Sequence, residues 1–232
     1  MNPAAYVGTE LDIFAHARNW KRYWASHIRA YLRGDVLEVG AGIGANTGVI
    51  HNGNARSWTC LEPDPQLAAR LSQTVSPGSR FEVVVGTLES MPPESRFDAL
   101  VYIDVLEHIE DYRHELVRAA RMLRPGGRLI VLAPAHQFLY SPFDRAIGHF
   151  RRYNRVALLA CQPPSVRLDR VLYLDSAGLM ASSLNRLLLR QSTPTLAQIK
   201  TWDRLLVPLS RLIDPVLFYR LGKSILAVWT RT

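Results

Sequence analysis

VLEVGAGIGANT occupies residues 36 to 47 and decides the fold. Its first four residues, Val36–Val39, are apolar apart from Glu38, which is typical of a buried strand. Glycines follow at positions 40, 42 and 44, where the absence of a Cβ lets the backbone turn tightly and approach a ligand. The Gly-x-Gly-x-Gly spacing differs from the Gly-x-Gly-x-x-Gly of dinucleotide-binding loops, and no Lys-Ser/Thr pair follows. The segment therefore predicts a strand, a ligand-binding loop and a helix, and argues against a nicotinamide enzyme or a nucleotide hydrolase.

Short apolar runs alternate with helical patterns on both sides of this segment, from residue 35 to residue 135. This alternation is typical of βα units on a parallel sheet. The predicted strands are Val36–Val39, Trp58–Leu61, Phe81–Val85, Ala99–Ile103, Arg128–Leu132, Val166–Leu174 and Ser224–Trp229. The predicted helices are Leu11–Leu32, Ala45–His51, Pro65–Thr74, Asp111–Leu123 and two or three within Leu179–Leu189 and Thr195–Tyr219.

The composition is that of an ordinary globular protein: 232 residues, 48% hydrophobic and 21% charged. It excludes disordered, collagen-like and coiled-coil chains. Cys60 and Cys161 cannot build a disulfide framework, and no Cys, His or acidic cluster has metal-ligand spacing, so we expect no metal. No run reaches the roughly 18 apolar residues of a membrane span, and residues 1–20 lack a signal-peptide pattern. We therefore expect a cytoplasmic protein.

The net charge of +8 is concentrated at one end of the chain. Lys and Arg number 15 against 16 Asp and Glu in residues 1–150, and 13 against 4 in residues 151–232, which gives −1 and +9. A basic, Leu-rich segment can be a solvated helix face, or it can bind nucleic acid, an acidic substrate or an anionic membrane. The solvated face is the simplest interpretation, and peripheral membrane contact through the C-terminal helices remains open beside it.

Five motifs in sequence order resemble those of the class I S-adenosyl-L-methionine-dependent methyltransferases. They are Glu38-x-Gly40-x-Gly42-x-Gly44, Glu62 after the second strand, Gly86-Thr87-Leu88, Asp104–Ile109 and Leu123–Gly127. The resemblance implies a doubly wound, Rossmann-like α/β sheet of seven strands, six parallel and the last antiparallel. It also implies an N-terminal helical lid over residues 1–34, a cofactor-binding core over 35–175 with an acceptor loop at 135–153, and a helical insertion with the final strand over 176–232, all in one domain.

The same resemblance implies S-adenosyl-L-methionine as cofactor and S-adenosyl-L-homocysteine as product. The ends of parallel strands present carboxylates to a ribose diol, which is the role expected of Glu62. Thr87 stands where many members have an acid that binds the adenine amine, so we expect backbone groups near Leu88 to bind adenine. Trp20 and Tyr23 are expected either to cover the methionine end of the cofactor or to lie in the core. The full set of expected cofactor residues is Glu38, Gly40, Ala41, Gly42, Gly44, Asn46, Thr47, Glu62, Pro63, Thr87, Leu88, Asp104, Trp20 and Tyr23.

A long polar and aromatic loop follows the fifth strand, where ligand sites of parallel sheets open. His136 and His149 in this loop, with His108 after the fourth strand, are the candidate catalytic bases, because an imidazole titrates near neutral pH. His108 can instead be a structural hydrogen-bonding residue. The candidate acceptor-binding residues are Tyr140, Asp144, Arg145, Arg151, Arg152 and Tyr153. In the alternative interpretation, Asp144 and the arginines pair with each other and brace the loop.

The activity that these residues favour is methyl transfer to an oxygen of a small molecule, such as a sugar, a lipid-linked intermediate or a carboxylic acid. The segments Asn19–Tyr23, Pro134–Tyr153 and Gly222–Val228 further resemble a bacterial subgroup associated with cell-surface glycan or secondary-metabolite pathways. Nitrogen acceptors remain open. The Asn/Asp-Pro-Pro-Tyr/Phe motif of amino-methylating nucleic-acid enzymes is replaced by Tyr102–Val105, which argues against nucleic acid. A non-catalytic cofactor-binding subunit is a further alternative, and we expect a monomer or a homodimer.

Overall fold

A seven-stranded sheet forms the centre of the protein in a computed structural model that describes residues 10–51, 53–75, 80–188 and 195–232. The strand order is β3-β2-β1-β4-β5-β7-β6. Strands β1 to β5 pair in parallel, and β7 runs antiparallel between β5 and β6. The predicted doubly wound arrangement, with the last strand alone antiparallel, is confirmed. The strands are β1 (Gly34–Val39), β2 (Ala55–Glu62), β3 (Phe81–Val85), β4 (Phe97–Ile103), β5 (Leu123–Pro134), β6 (Val166–Leu174) and β7 (Ser224–Arg231).

Helices cover both faces of the sheet, as expected for a parallel sheet with a core on each side. They are α1 (Glu10–Phe14), α2 (Arg18–Ile28), α3 (Thr47–Ile50), α4 (Pro65–Thr74), α5 (Tyr112–Arg121), α6 (Pro142–Ala146), α7 (Arg155–Ala160), α8 (Ser176–Leu188), α9 (Leu196–Thr201) and α10 (Val207–Val216). A π-helical turn, Trp202–Leu206, joins α9 to α10. Within the described residues, no helix has the length and apolar content needed to cross a membrane.

The predicted helix boundaries hold where a local cap fixes them. Pro65–Thr74 is confirmed, and the Asp64 side chain caps it by accepting from the backbone N–H groups of Gln66 and Leu67. The predicted Asp111–Leu123 helix ends earlier, at Arg121, because β5 begins at Leu123 and already pairs there with β4. The predicted Ala45–His51 helix is likewise shorter and is limited to α3.

The predicted single helix Leu11–Leu32 is wrong, because the chain forms α1, a break, α2 and a final 3₁₀ turn, Arg29–Tyr31. The start of α2 is held by a distant residue, since the Asp203 carboxylate accepts from the backbone N–H groups of Asn19 and Trp20 at 3.1 and 2.8 Å. A cap supplied from the π-helical turn leaves no local signature in the sequence. Residues 1–9 of the predicted lid and residues 189–194 of the predicted insertion lie outside the described residues.

Three buried aspartates fasten the C-terminal helices to the rest of the fold: Asp175, Asp203 and Asp214. Asp214 accepts from the Tyr23 hydroxyl at 2.7 Å and from the backbone N–H groups of Asp175 and Ser176. Asp175 in turn accepts from the Ser210 hydroxyl and from the Trp202 indole. Because these buried acids are fully hydrogen-bonded, α2 is anchored to α10 as part of the core.

Candidate active site

The glycine loop joins β1 to α3 at the carboxyl end of the sheet. Gly40, Gly42 and Gly44 have φ values of +67°, +58° and +78°, a region that residues with a Cβ rarely adopt. The N–H groups of Gly40 and Ala41 donate to the Leu61 carbonyl at 2.7 and 3.2 Å, which ties the loop to the end of β2. A Cβ on Gly42 would lie 3.7 Å from Leu11 of α1, so α1 lies over the loop.

Glu62 is the acid at the end of β2, and backbone groups hold both of its oxygens. The Gly42 N–H donates to Oε2 at 2.7 Å and the Asp64 N–H donates to Oε1 at 3.0 Å. The side chain is 5% exposed, and burial raises its pKa. Each carboxylate oxygen has capacity for a further hydrogen bond, so Glu62 is fixed in direction while it keeps acceptor sites for a ligand hydroxyl.

Glu38 supports the glycine loop from inside the protein. It is 2% exposed, and the Trp58 indole N–H donates to its Oε2 at 3.0 Å. Burial raises the pKa of Glu38 to about 7. Thr47, at the start of α3, is also fully buried, whereas Asn46 is half-buried. Glu38 and Thr47 therefore support the glycine loop from within the protein, and the backbone of the loop forms the part of the site that a ligand can reach.

The turn after β3 was predicted to flank adenine. Thr87 is exposed and forms a capping box with Ser90 at the start of the 3₁₀ turn Leu88–Ser90. The Leu88 side chain is 1% exposed and packs in the core, so only its backbone is available to a ligand. Pro63, after Glu62, is exposed.

Trp20 and Tyr23 have structural contacts. The Trp20 ring packs against Trp202 with ring centroids 5.8 Å apart, and the Tyr23 hydroxyl is bound to Asp214. Lys21, between them, was not predicted, and its Nζ donates to the Ala45 carbonyl in the glycine loop at 3.1 Å. Burial lowers the pKa of Lys21 to about 8. The sequence signal that could have identified Lys21 is its position between the aromatic residues Trp20 and Tyr23.

Three strands end in residues with unusual backbone conformation. Asp104 follows β4 with φ +54°, His136 follows β5 with φ +66°, and Asp175 follows β6 with φ +70°. Non-glycine residues adopt this region at a cost, and such positions concentrate at functional sites. All three strands run in the same direction, so the three residues mark one edge of the sheet.

Asp104 lies in a cleft at this edge. Its side chain is exposed to solvent. Burial by the surrounding protein nevertheless raises the pKa of Asp104 to about 6. Electrostatic interactions with His149, Lys21, Arg152 and Lys223 act in the opposite direction and lower it. Lys223 was not predicted either, and it comes from the start of β7. Asp104 therefore links the glycine-loop end of the cleft to the acceptor loop.

Glu107, His108 and His149 meet beside Asp104. One ligating atom from each lies within 4.8 Å of the other two. The His108 and His149 rings are perpendicular, with centroids 4.6 Å apart, and His149 Nε2 is 3.8 Å from Glu107 Oε1. Burial raises the pKa of Glu107 well above its usual range and lowers that of His108 to about 4. Sequence reasoning missed Glu107, whose fully buried carboxylate becomes evident only in the fold.

Asp144 organises the acceptor loop. It is 1% exposed, and it accepts from His149 Nδ1 at 3.0 Å, from Arg152 Nε and Nη2 at 3.0 Å and from the Ser141 hydroxyl at 2.8 Å. Although burial opposes ionisation, the hydrogen bonds from His149 and Arg152 hold the pKa of Asp144 below its usual range. The alternative that Asp144 and an arginine brace the loop agrees with this geometry.

The other loop residues have mainly bracing contacts. Arg151 donates to the carbonyls of Ile109 and Glu110, and the Tyr153 hydroxyl donates to the Leu106 carbonyl at 2.9 Å. The Tyr140 hydroxyl donates to the His149 carbonyl at 2.6 Å. Arg145 is exposed on the outside of the loop.

The hydrogen bond and the ring stacking of His136 involve residues other than His108 and His149. Its Nε2 is 3.0 Å from the Gly222 carbonyl, and its ring stacks on Tyr173 with centroids 5.1 Å apart and planes at 6°. Burial lowers its pKa. With one ring nitrogen bound to a backbone carbonyl, His136 links the end of β5 to the start of β7, whereas His108 and His149 are the two candidate bases whose rings contact each other.

Known proteins share both sequence and fold with this chain. A family model described as a methyltransferase domain matches residues 37–131. A demethylmenaquinone methyltransferase of Tropheryma whipplei is 30% identical over 164 residues, which are 68% of this chain and 67% of the relative. A ubiquinone biosynthesis O-methyltransferase of a Bradyrhizobium species is 42% identical over 45 residues, 19% of this chain and 18% of the relative. The solved structure of the N-methyltransferase NodS of Bradyrhizobium japonicum with S-adenosyl-L-homocysteine has a TM-score of 0.57 to this chain. The match covers 92% of this chain and 85% of NodS at 16% identity, so it supports the fold alone.

Proposed function

The chain belongs to the class I S-adenosyl-L-methionine-dependent methyltransferases, and we propose that its acceptor is an oxygen of an apolar, hydroxylated small molecule. S-adenosyl-L-methionine is the methyl donor. In the proposed site the cofactor lies along the glycine loop, with its ribose hydroxyls on Glu62 and its methionine end near Lys21 and Asp104. Leu11 of α1 then covers the loop, and this closure excludes water from the reactive sulfonium.

The observation that carries the oxygen acceptor is the pair of imidazoles beside Asp104. Methyl transfer is an in-line displacement, so alignment of the acceptor with the methyl group supplies much of the acceleration. A hydroxyl acceptor must also lose a proton, and an imidazole nitrogen within hydrogen-bond reach of that hydroxyl can accept it. We place the acceptor oxygen against His108 and His149, with Asp144 holding the His149 ring in direction.

An apolar acceptor is supported by the names of the relatives and by the surface of α10. Two of the relatives above are named for menaquinone and ubiquinone synthesis. Helix α10 buries Ser210 and Asp214 while the apolar side chains on its other face are exposed. Exposed apolar residues of this region are Leu205, Leu209, Leu212, Val216, Phe218 and Leu221.

The charge of this surface fits an anionic membrane. Arg204, Arg211 and Arg220 are exposed among the apolar residues. The acids of the same region, Asp203 and Asp214, are buried and hydrogen-bonded, so they do not reduce the positive surface charge. A helix with an apolar face flanked by arginines binds at the lipid headgroup boundary. We therefore propose that this surface rests on the membrane from which the acceptor is taken.

A transfer assay with ¹³C-methyl-labelled S-adenosyl-L-methionine tests the acceptor. The panel contains alkylated hydroquinones, sugars, carboxylic acids, amines and an RNA oligonucleotide, and the ¹³C chemical shift separates oxygen-bound from nitrogen-bound methyl groups. We expect an O-methyl product from the alkylated hydroquinone. Label on an amine or on RNA contradicts the proposal, and cofactor binding without transfer to any panel member favours the non-catalytic subunit instead.

A further inference from the structure

Glu107 carries a buried carboxylate that lacks a hydrogen-bond partner among the other described residues. It is 0% exposed, and no other described residue donates a hydrogen bond to either of its oxygens. Arg152 is bound through Nε and Nη2 to Asp144 and does not contact Glu107 by hydrogen bonds. Burying a carboxylate without partners costs several kcal/mol or more, so an unpaired one indicates a missing cation or proton.

Each of the two histidines beside Glu107 has a protein group next to its Nδ1. His149 Nδ1 is 3.0 Å from Asp144 Oδ1, and its Nε2 faces Glu107. The Gly148 backbone lies beside the His108 ring, whose Nδ1 is 3.7 Å from the position that a Cβ on Gly148 would take. A histidine that binds a metal has this arrangement, because its other nitrogen donates to a carboxylate or a backbone carbonyl, which fixes the tautomer and the ring direction.

We propose that Glu107, His108 and His149 bind one divalent transition-metal ion of the zinc class. Two imidazoles and one carboxylate are a known zinc ligand set, and they leave a further coordination position open. Two donors on a tetrahedral zinc lie about 3.4 Å apart. His149 Nε2 and Glu107 Oε1 are 3.8 Å apart and the three ligand atoms lie within 4.8 Å of one another, so metal binding requires them to close by up to about 1.4 Å. Sequence spacing gave no signal, because the ligands come from two loops that follow different strands.

This inference deepens the proposed function, since an acceptor oxygen placed against His108 and His149 would occupy the open position. A bound divalent ion lowers the pKa of such an oxygen and so assists its methylation. Metal binding itself can be measured without acceptor or cofactor. Failure of the metal site would therefore leave the proposed methyl transfer untouched, and failure of methyl transfer would leave the metal site untouched.

The test uses full-length protein freed of metal with a chelator and titrated with zinc chloride by calorimetry. Cobalt(II) absorption reports the coordination geometry. We expect one zinc per chain, with affinity at least about 100-fold weaker in Glu107→Gln and in His149→Gln. The matched control is His114→Gln, which removes an exposed imidazole 3.3 Å from Asp111 and should leave the affinity unchanged.

Denaturant unfolding of each variant checks that it is folded. If Glu107→Gln or His149→Gln fails this check, His108→Gln takes its place in the comparison. Wild-type protein that binds zinc no more tightly than a folded Glu107→Gln variant overturns the inference and assigns Glu107 a protonated, metal-free state. Equal weakening by His114→Gln overturns it as well, because the zinc would then be bound at the surface.

Discussion

The two sides of the cleft satisfy their polar groups in opposite ways. On the glycine-loop side, the Glu62 carboxylate accepts from two backbone N–H groups and is held before any ligand arrives. On the acceptor-loop side, the Glu107 carboxylate is fully buried and receives no hydrogen bond from another described residue. The acid of the first side is held by the backbone of the protein itself, whereas for the acid of the second side we propose a bound metal ion as the partner.

This difference separates the backbone groups that the fold offers to the cofactor from the side chains that are particular to this chain. Backbone groups can bind the same cofactor in many chains, because any sequence with glycines at the required positions presents them. Side chains such as Glu107 and His149, for which we propose a role toward the acceptor, depend on contacts between distant segments. Four predictions test this division, from the largest expected effect to the smallest.

Gly42→Val should abolish measurable cofactor binding while the protein stays folded. Among the described residues, the new side chain would meet Leu11, at 3.7 Å from its Cβ, and it would also occupy the open side of the loop and strain a φ of +58°. Calorimetry with S-adenosyl-L-homocysteine measures the loss. Gly126→Val is the matched control, because Gly126 has a φ of +79°, open space around it and a position at the start of β5 away from the site. Equal loss in both variants would mean that general strain is responsible.

Negative charges introduced on the apolar face of α10 should weaken membrane binding by at least about 30-fold, because each exposed apolar side chain that enters the headgroup boundary contributes roughly 1.5–3 kcal/mol. The variant is Leu212→Asp with Val216→Asp, at residues 74% and 73% exposed. Co-sedimentation with phosphatidylglycerol vesicles measures the effect. The control, Val156→Asp, changes a valine on α7 that is 75% exposed. Equal vesicle binding by the double variant and wild type would contradict the proposed surface.

Glu62→Ala should weaken cofactor binding by about 1–3 kcal/mol, since it removes a charge-assisted acceptor for the ribose and releases the Gly42 and Asp64 N–H groups. Titration with S-adenosyl-L-homocysteine provides the number. Glu82→Ala, at an exposed position on β3, is the control for loss of one negative charge. Unchanged affinity in Glu62→Ala would remove Glu62 from the site.

Glu38→Gln should flatten the pH dependence of stability in cofactor-free protein. Burial raises the pKa of Glu38 to about 7, so the folded state binds its proton more tightly than the unfolded state does. Stability due to this group is therefore lost as pH rises from about 5 to 8, by about 2 kcal/mol. Denaturant unfolding at several pH values should show wild type losing this stability relative to the variant. Parallel curves would mean that Glu38 titrates near its usual value.

The fold and the turn of the glycine loop could be predicted because their signals are local. The glycine spacing, the Asp64 cap and the apolar strands each specify structure within a few residues. The break before α2 could not be predicted, since the Asp203 side chain that holds it is far along the chain. Among the three histidines with similar surroundings in sequence, only the fold brings His108 and His149 together and ties His136 to Gly222.

The most direct test of the division between the two sides is calorimetric titration of S-adenosyl-L-homocysteine into wild-type protein and into Glu107→Gln. We expect one binding site per chain, with affinities that agree within about twofold, because Glu62 and the glycine loop are complete without the acceptor side. Absence of binding to wild-type protein would contradict the assigned cofactor site. Loss of binding in folded Glu107→Gln alone would show that the two sides form one site.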